Sequence, residues 1–321
     1  MRQRAHSSNP GRAPLAPFAG ILLLFATSVG ADEPETGNST WYDTAQGRIA
    51  QSLDDSVTWF DEFFGDPRYE VEGEAEASLR ITFDNFYSGV DGQSEYKVKA
   101  RGYVSLPKFE NRVRLVYSSD ADAAISGEDA VENEPVSRGT TDDRDRGLGL
   151  SWLLPDGDNH DLSLGGGIKG GPDFYTKLRY RYTRPIEQNS RVRLTSTIYW
   201  ITDDGAGFSN LLDYEFSRDK LTIWRYTLFG NYSEISNGLE WSTQGTWLRR
   251  LSPRNAISVR LGISGETDLD RSIKEYWTTF RFRRNFWRDW LFYELEPGLS
   301  WHYKADYDLE PTMALRLEVH F

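Results

Sequence analysis

The side chains of this 321-residue chain that could do chemistry fall into a small nucleophilic set and a larger cationic one. Histidine is scarce, limited to His6, His160, His302 and His320, and His302 is the best placed: it follows Ser300 by two residues and precedes Asp306 and Asp308. A serine and a histidine two apart on a strand share a face and can meet, as a nucleophile and its base must in acyl transfer. Ser300 and His302 are therefore the candidate catalytic pair, with catalysis the lesser reading of the chain. The cationic set recurs at alternate positions, as Lys97, Lys99 and Arg101, Arg112 and Arg114, Lys177, Arg179 and Arg181, and Arg191 and Arg193. Alternation in a strand puts each run on one face. Acids recur in the same way later in the chain, at Asp213 and Glu215, Glu240, Glu294 and Glu296, and Glu318, with Arg281 and Arg283 between them.

Several other chemistries are excluded or weakened. The run Gly165, Gly166, Gly167, Ile168, Lys169, Gly170, Gly171 lacks the Gly-Lys-Ser/Thr ending of a phosphate loop, and no helical pattern follows it. Its glycines are expected to allow a bend or the close approach of another segment. There is no cysteine, and no cluster of histidines suggests a transition metal, so neither a metal nor a cofactor is expected. The acidic stretch from Ser119 to Asp145 has no EF-hand spacing and reads as a solvated loop. A formal charge of −12 argues against a nucleic-acid partner.

These side chains are positioned by a long series of period-two segments. The last of them, Pro311 to Phe321, alternates Met313, Leu315, Leu317, Val319 and Phe321 with Ala314, Arg316, Glu318 and His320. Its length suits a tilted strand crossing a bilayer core. Ending on an aromatic residue, it resembles the closing strand of Gram-negative outer-membrane β-barrels of the porin-like kind. The resemblance implies that Phe321 belongs to the signal read by the barrel-assembly machinery. It also implies an outer-membrane location in contact with lipid and lipopolysaccharide.

The rest of the chain fits that expectation. Residues 1–31 carry Arg2, Arg4 and Arg12, an apolar run from Pro14 to Val29 and the small residues Val29, Gly30 and Ala31, the pattern of an export signal peptide. Its removal, with those three arginines, takes the charge to −15. No later apolar run is long enough for a transmembrane helix, and an aromatic content of 14% in a polar chain suits a barrel with aromatic girdles and a wet interior. In residues 32–71, Ile49, Leu53, Val57, Phe60 and Phe64 form the stripe of one amphipathic helix, with Asp54, Asp55, Asp61 and Glu62 off it and Gly65 and Pro67 at its end. It is expected on the periplasmic rim; plugging the lumen or lying on the membrane are the alternatives.

From about Glu72 to Phe321, fourteen alternating segments predict an all-β, transmembrane, antiparallel up-and-down barrel, with twelve strands as the reserve count because the connection at Gly170–Asp173 is short. A soluble all-β protein is the alternative architecture; it would need these segments to pair into two layers, and nothing in the pattern pairs them. If the barrel forms, the cationic runs face its lumen. They either select anionic or zwitterionic solutes across a wet pore, or pair with the acids and fill a closed one. The leading functional reading is a channel or transporter for small polar or anionic solutes. The alternatives are a non-conducting structural or interaction barrel and a lipid-modifying enzyme. For the last, outer-membrane phospholipases carry a His-x-Ser-Asn-Gly-type motif facing lipid, whereas here the order Ser300, Trp301, His302 is reversed, no Asn-Gly follows and the pair faces inward. Oligomeric state leaves no mark in the sequence.

Overall fold

Strand alternation closes this chain into a cylinder. In the computed structural model, fourteen antiparallel strands form one closed barrel in which each pairs with its sequence neighbours and β1 pairs with β14. The structure describes residues 41–65, 77–89, 94–109, 112–127, 146–154, 157, 159–171, 173–202, 204–236, 238–268 and 272–321. The stretch 1–31 expected to be a signal peptide, residues 32–40 and 66–71 of the segment that follows it, and most of the acidic loop, 128–145, lie outside them. The chain divides into two units, residues 1–42 and 43–321. The first contributes only the opening two residues of helix α1 to the described set, and the contacts given below for that helix are made by residues 53–65 of the second.

The strands are β1 (Ala77–Ser88), β2 (Ser94–Ser105), β3 (Val113–Ser118), β4 (Gly147–Leu154), β5 (His160–Lys169), β6 (Asp173–Glu187) and β7 (Ser190–Ile201). They continue with β8 (Gly205–Asp219), β9 (Thr222–Ser233), β10 (Leu239–Ser252), β11 (Asn255–Glu266), β12 (Ile273–Asn285), β13 (Leu291–His302) and β14 (Leu309–His320). Among the described residues two α-helices accompany them, α1 (Trp41–Phe64) and α2 (Ala121–Ser126). The strand count matches the sequence count of fourteen, and the suspect connection between β5 and β6 is a tight turn at Gly170 and Gly171, both at positive φ (58° and 143°). Only glycine adopts such angles without steric cost.

Most strands have about twelve residues, a span of about 40 Å, which at the tilt of a barrel covers the roughly 30 Å of a bilayer's hydrocarbon core. Outward positions carry the residues that water rejects: Val98, Leu150, Ile198, Trp224, Leu261 and Leu315 are all exposed. Aromatic rings collect toward both rims. Trp152, Trp224 and Trp247 lie near the short-turn end, with the last two paired across strands at 6.3 Å; Trp200, Phe208 and Tyr232 lie near the long-loop end. Such belts sit at the two membrane–water interfaces. Each strand pairs with a neighbour on both sides, which is how a barrel satisfies its backbone in lipid, although β2 meets the shorter β3 only over Arg101–Ser105. The fold is a transmembrane β-barrel, and among the described residues no helix is long and apolar enough to cross a membrane.

The seam that closes the cylinder is the C-terminal strand. Its register runs from Arg80 opposite His320 to Ser88 opposite Thr312. Beyond it, Leu79 and Phe321 exchange both backbone hydrogen bonds, at 3.0 and 2.8 Å. The Phe321 ring is exposed and stacks on Trp290.

Candidate functional site: the lumen

Inward-facing positions are polar almost throughout, but the wall falls into two parts. On β7–β14 and β1 a set of charged side chains is buried or half-buried and joined into networks. Arg193, Asp213, Glu215, Arg283, Glu294, Glu296 and Glu318 are each no more than 4% exposed. Across β12, β13, β14 and β1, Arg281 donates to Glu296 (2.9 Å), Arg316 bridges Glu294 (2.8 Å) and Asp84 (2.7 Å), and Arg283 meets Glu318 (2.8 Å). Glu318 also takes Arg80 at 3.2 Å, and Arg260 of β11 joins through Glu296. The belt therefore crosses the seam, where Ser88 also donates to Glu310 at 2.6 Å. In so dry a setting a charge is tolerable only with its partner in place.

A second network lies on β7, β8 and β9. Glu215 accepts from Arg191, from Arg225 Nε at 2.7 Å and from Arg193 at 3.3 Å, while Asp213 lies 3.7 Å from Arg193 and accepts from Thr227 at 2.6 Å. Helix α1 completes this network from inside. Asp61 meets Arg225 at 2.5 Å and Arg193 at 3.6 Å, and Asp54 meets Arg191 at 2.7 Å.

The packing of α1 explains why it sits there. Leu53, Val57, Phe60 and Phe63 are buried against Ile223, Leu248, Ala256 and Phe292, which are inward-facing residues near the short-turn ends of β9, β10, β11 and β13. Trp59 lies under Arg250 and Phe64 under Arg281, at 4.1 and 5.8 Å. The helix thus lies against the inner wall within the mouth, where the rim was the expected place. It ends at Gly65, whose φ of +69° and amide bond to Glu62 O (3.1 Å) form a left-handed stop, and Arg80 donates to the Gly65 carbonyl. Four buried large apolar side chains contribute on the order of 1.5–3 kcal/mol each to this docking. Helical spacing then turns Asp55 and Glu62, both exposed, away from the packed wall.

The β2–β6 side is different in composition and exposure. Its inward positions carry Lys97, Lys99 and Arg101 on β2, Arg114 on β3, and Lys177, Arg179 and Arg181 on β6, with small Gly147, Gly149, Gly165 and Gly167 between them on β4 and β5. Lys99, Arg101, Lys177 and Arg179 remain partly accessible, whereas Lys97, Arg114 and Arg181 are buried and Arg112 is exposed at the start of β3. Lys97 lies opposite Asp84 in the β1–β2 register, and the Arg114 guanidinium lies 4.7 Å over the Tyr103 ring.

Helix α2 folds into this side from the long β3–β4 connection. Its Ala124 carbonyl accepts from Lys177 (2.8 Å) and Arg179 (3.2 Å), its Asp122 meets Lys169 at 2.5 Å, and Ser209 donates to the Ser126 carbonyl. Ala121 and Ile125 pack with Tyr199 and Ile201. The glycines supply room: a Cβ on Gly147 would stand 2.7 Å from Ala121 Cβ, and one on Gly149 would strike the Tyr175 hydroxyl. Gly147 thus makes room for the loop helix, while Gly165 and Gly167 of the glycine run admit the Lys177 side chain and the β4 backbone.

The sequence-derived residues are accordingly divided by the fold. Lys177 and Arg179 hold α2, Arg191 and Arg193 hold α1, and the β2 residues line the remaining side. Ser300 and His302 do face inward, opposite Glu310 and Glu275 in the strand registers. His302 Nδ1 accepts from the Lys304 amide at 3.1 Å, so the ring caps a short 3-10 turn at the end of β13. Residues missed as functional are Asp54, Asp61 and Arg225. The signal for them was the interruption of the polar inner face by Ile223, Leu248, Ala256 and Phe292, which marks where a second apolar surface must dock.

No family model matches the chain, and neither does any curated protein. Among solved structures, the chain is similar to OprD of Pseudomonas aeruginosa, at 10% identity and a TM-score of 0.45 over 77% of this chain and 95% of that one. It is similar to an anion-selective porin from Comamonas acidovorans at 9% identity and a TM-score of 0.47, over 76% of this chain and 98% of that one. It is also similar to the KdgM porin, at 6% identity and a TM-score of 0.37 over 75% and 99% of the two chains. At such identities and scores the likeness carries neither solute nor residue roles across.

Proposed function

We propose that the protein is a channel in the outer membrane of a Gram-negative bacterium that passes small polar solutes and prefers anions. The observation that carries this reading is the difference between the two sides of the lumen. On β7–β14 Arg193, Arg225 and Arg283 are buried and the half-buried Arg281 and Arg316 are each held between two carboxylates, whereas β2 and β6 carry Lys99, Arg101, Lys177 and Arg179, partly accessible, beside β4 and β5, which offer mostly glycine and serine. A path along that side is lined by cations, the arrangement that favours anion passage. Residues 1–31 would act as the export signal, residues 32–71 as the segment that carries α1, and residues 72–321 as the barrel. The exposed ring of Phe321 would be what the assembly machinery reads, and the outer rim would meet lipopolysaccharide.

A second reading has its own support. With α1 in one mouth, α2 in the other half and so many inward side chains buried, the protein could be a closed barrel that serves by binding. Planar-bilayer recording of refolded protein separates the two. Stepwise conductance with an anion-directed reversal potential in a salt gradient is expected. Absence of conductance both in the full chain and in a chain lacking residues 32–71, each shown to be folded by its heat-modifiable gel mobility, leaves only the closed barrel.

A further inference from the structure

We propose that Arg191, Arg193 and Arg225 form a binding site for small multivalent oxyanions, occupied in the resting molecule by the Asp61 carboxylate of the protein's own helix α1. Three guanidinium groups converge here on the β7–β9 wall, against the wall carboxylates Glu215 and Asp213. The third carboxylate comes from the helix: one Asp61 oxygen lies 2.5 Å from Arg225 and the other 3.6 Å from Arg193. That is how a free carboxylate or phosphate would sit between two guanidinium groups, one oxygen on each. Asp61 is 4% exposed, so its place is shielded from water as long as the helix stays.

An entry route lies beside it. Asp54 meets Arg191 at 2.7 Å with its own side chain 58% exposed, so water already competes for that carboxylate. A solute anion can therefore take Arg191 from Asp54 at little cost and then compete for Arg193 and Arg225 as the helix tilts off the wall. The apolar stripe Leu53, Val57, Phe60 and Phe63 supplies the restoring force, because it has a matched surface only when docked. The ligand must carry at least two negative charges to replace both carboxylates, which points to polycarboxylates or phosphates and away from chloride. The site rests on the seating of α1, not on conduction, so it can fail while the channel reading stands, and the reverse.

The chain has no cysteine, so a single one reports cleanly. Ser56 lies on the docked face of α1, 8% exposed, and donates to the Lys220 carbonyl at 3.4 Å. Full-length Ser56→Cys in detergent is labelled with a water-soluble maleimide in sodium citrate, sodium phosphate or sodium chloride at matched ionic strength. Citrate or phosphate is expected to raise the labelling rate several-fold and saturably. Adding Asp61→Asn should lower the half-maximal anion concentration roughly tenfold, because the internal competitor is weakened. Adding Arg225→Gln should abolish the saturable part; if that variant fails the gel-mobility test of folding, calorimetric titration of citrate into Asp61→Asn and wild type takes its place, with tighter binding expected in Asp61→Asn. Whichever of citrate and phosphate acts names the ligand class. A rate that follows ionic strength alone, equal in chloride and citrate, or saturation that persists in Arg225→Gln, overturns the proposal.

Discussion

The two sides of this lumen are made of similar residue types and behave as different materials. On β7–β14 every buried arginine named above has a carboxylate on a neighbouring strand or on α1, so charge has become a structural adhesive. On β2–β6 the lysines and arginines outnumber the acids on the same strands, and their contacts include backbone carbonyls of α2 and an aromatic ring. The lesson is that a lumen charge cannot be read as a selectivity element from its sign and facing alone. Its exposure and the sign of its cross-strand neighbours decide whether it holds the wall or faces the solute.

The sharpest way to break that contrast is to remove a charge from the paired wall. Arg283 is fully buried between Glu294 (3.4 Å) and Glu318 (2.8 Å), with Phe292 beneath it. Arg283→Ala leaves two carboxylates without it in a dry site and is expected to cost about 3–5 kcal/mol. The midpoint of urea unfolding in detergent, followed by gel mobility, measures it. Arg101→Ala on the other side should change the same midpoint by less than about 1 kcal/mol. Equal losses at the two positions would end the distinction between the walls.

Next in size is the packing of α1. Phe60 is 1% exposed within the cluster that includes Ile223, Leu248 and Phe292. Phe60→Ala should weaken docking by about 3 kcal/mol, within the range for large-to-small changes in a core. Protease sensitivity of the segment around α1 should rise while the barrel keeps its gel mobility. Loss of the barrel itself would show that helix and wall fold as one unit.

Much of this was legible beforehand. Fourteen strands, closure by the C-terminal segment and the inward turn of Arg316 and Glu318 follow from residue periodicity, which a barrel preserves because each strand has one wet and one oily face; of the α1 stripe, Leu53, Val57 and Phe60 are buried, Phe63 is buried in place of the half-buried Phe64, and the Ile49 side chain lies outside the described residues. The neutralisation of Arg191 and Arg193 was not legible. Pairing depends on which strands are neighbours and at what register, and Asp54 and Asp61 are on the helix's polar side by spacing, so they read as solvated. Only the inward apolar residues Ile223, Leu248, Ala256 and Phe292 hinted at a docked helix, and the hint is weak because Leu211 and Phe229 also face inward without meeting it. The inward folding of α2 left less trace still. Its six residues, Ala121–Ser126, are too short for a periodic pattern, and Gly147, which admits it, is equally compatible with a bend.

A smaller effect is expected where a cation holds α2. Lys177→Met removes a charged donor from the Ala124 carbonyl while Arg179 still reaches it, so the loss should be about 1 kcal/mol, below the usual 1.5–3 for a charged hydrogen bond. Channel noise is the readout: a less firmly held loop helix should raise open-channel current fluctuation without moving the unfolding midpoint. Lys177→Met with Arg179→Met should move both.

The smallest energies belong to the side proposed to face the solute, and they test the channel reading. A unit charge about 8 Å from a permeating ion in water contributes about 0.5 kcal/mol, or roughly two- to threefold in permeability. Each such charge acts with opposite sign on anion and cation, so Lys99→Gln and Arg101→Gln together should reduce the anion-to-cation permeability ratio by about thirtyfold at low ionic strength, as the reversal potential in a salt gradient reports, while stability changes little. The matching double change on the paired wall, Arg281→Gln with Glu296→Gln, removes one charge of each sign from a pair 2.9 Å apart and should leave the ratio where it was. If instead the paired-wall variant shifts selectivity and the β2 variant does not, ions pass along the ion-pair belt, and the burial of its side chains in the resting structure describes a closed state of the pore.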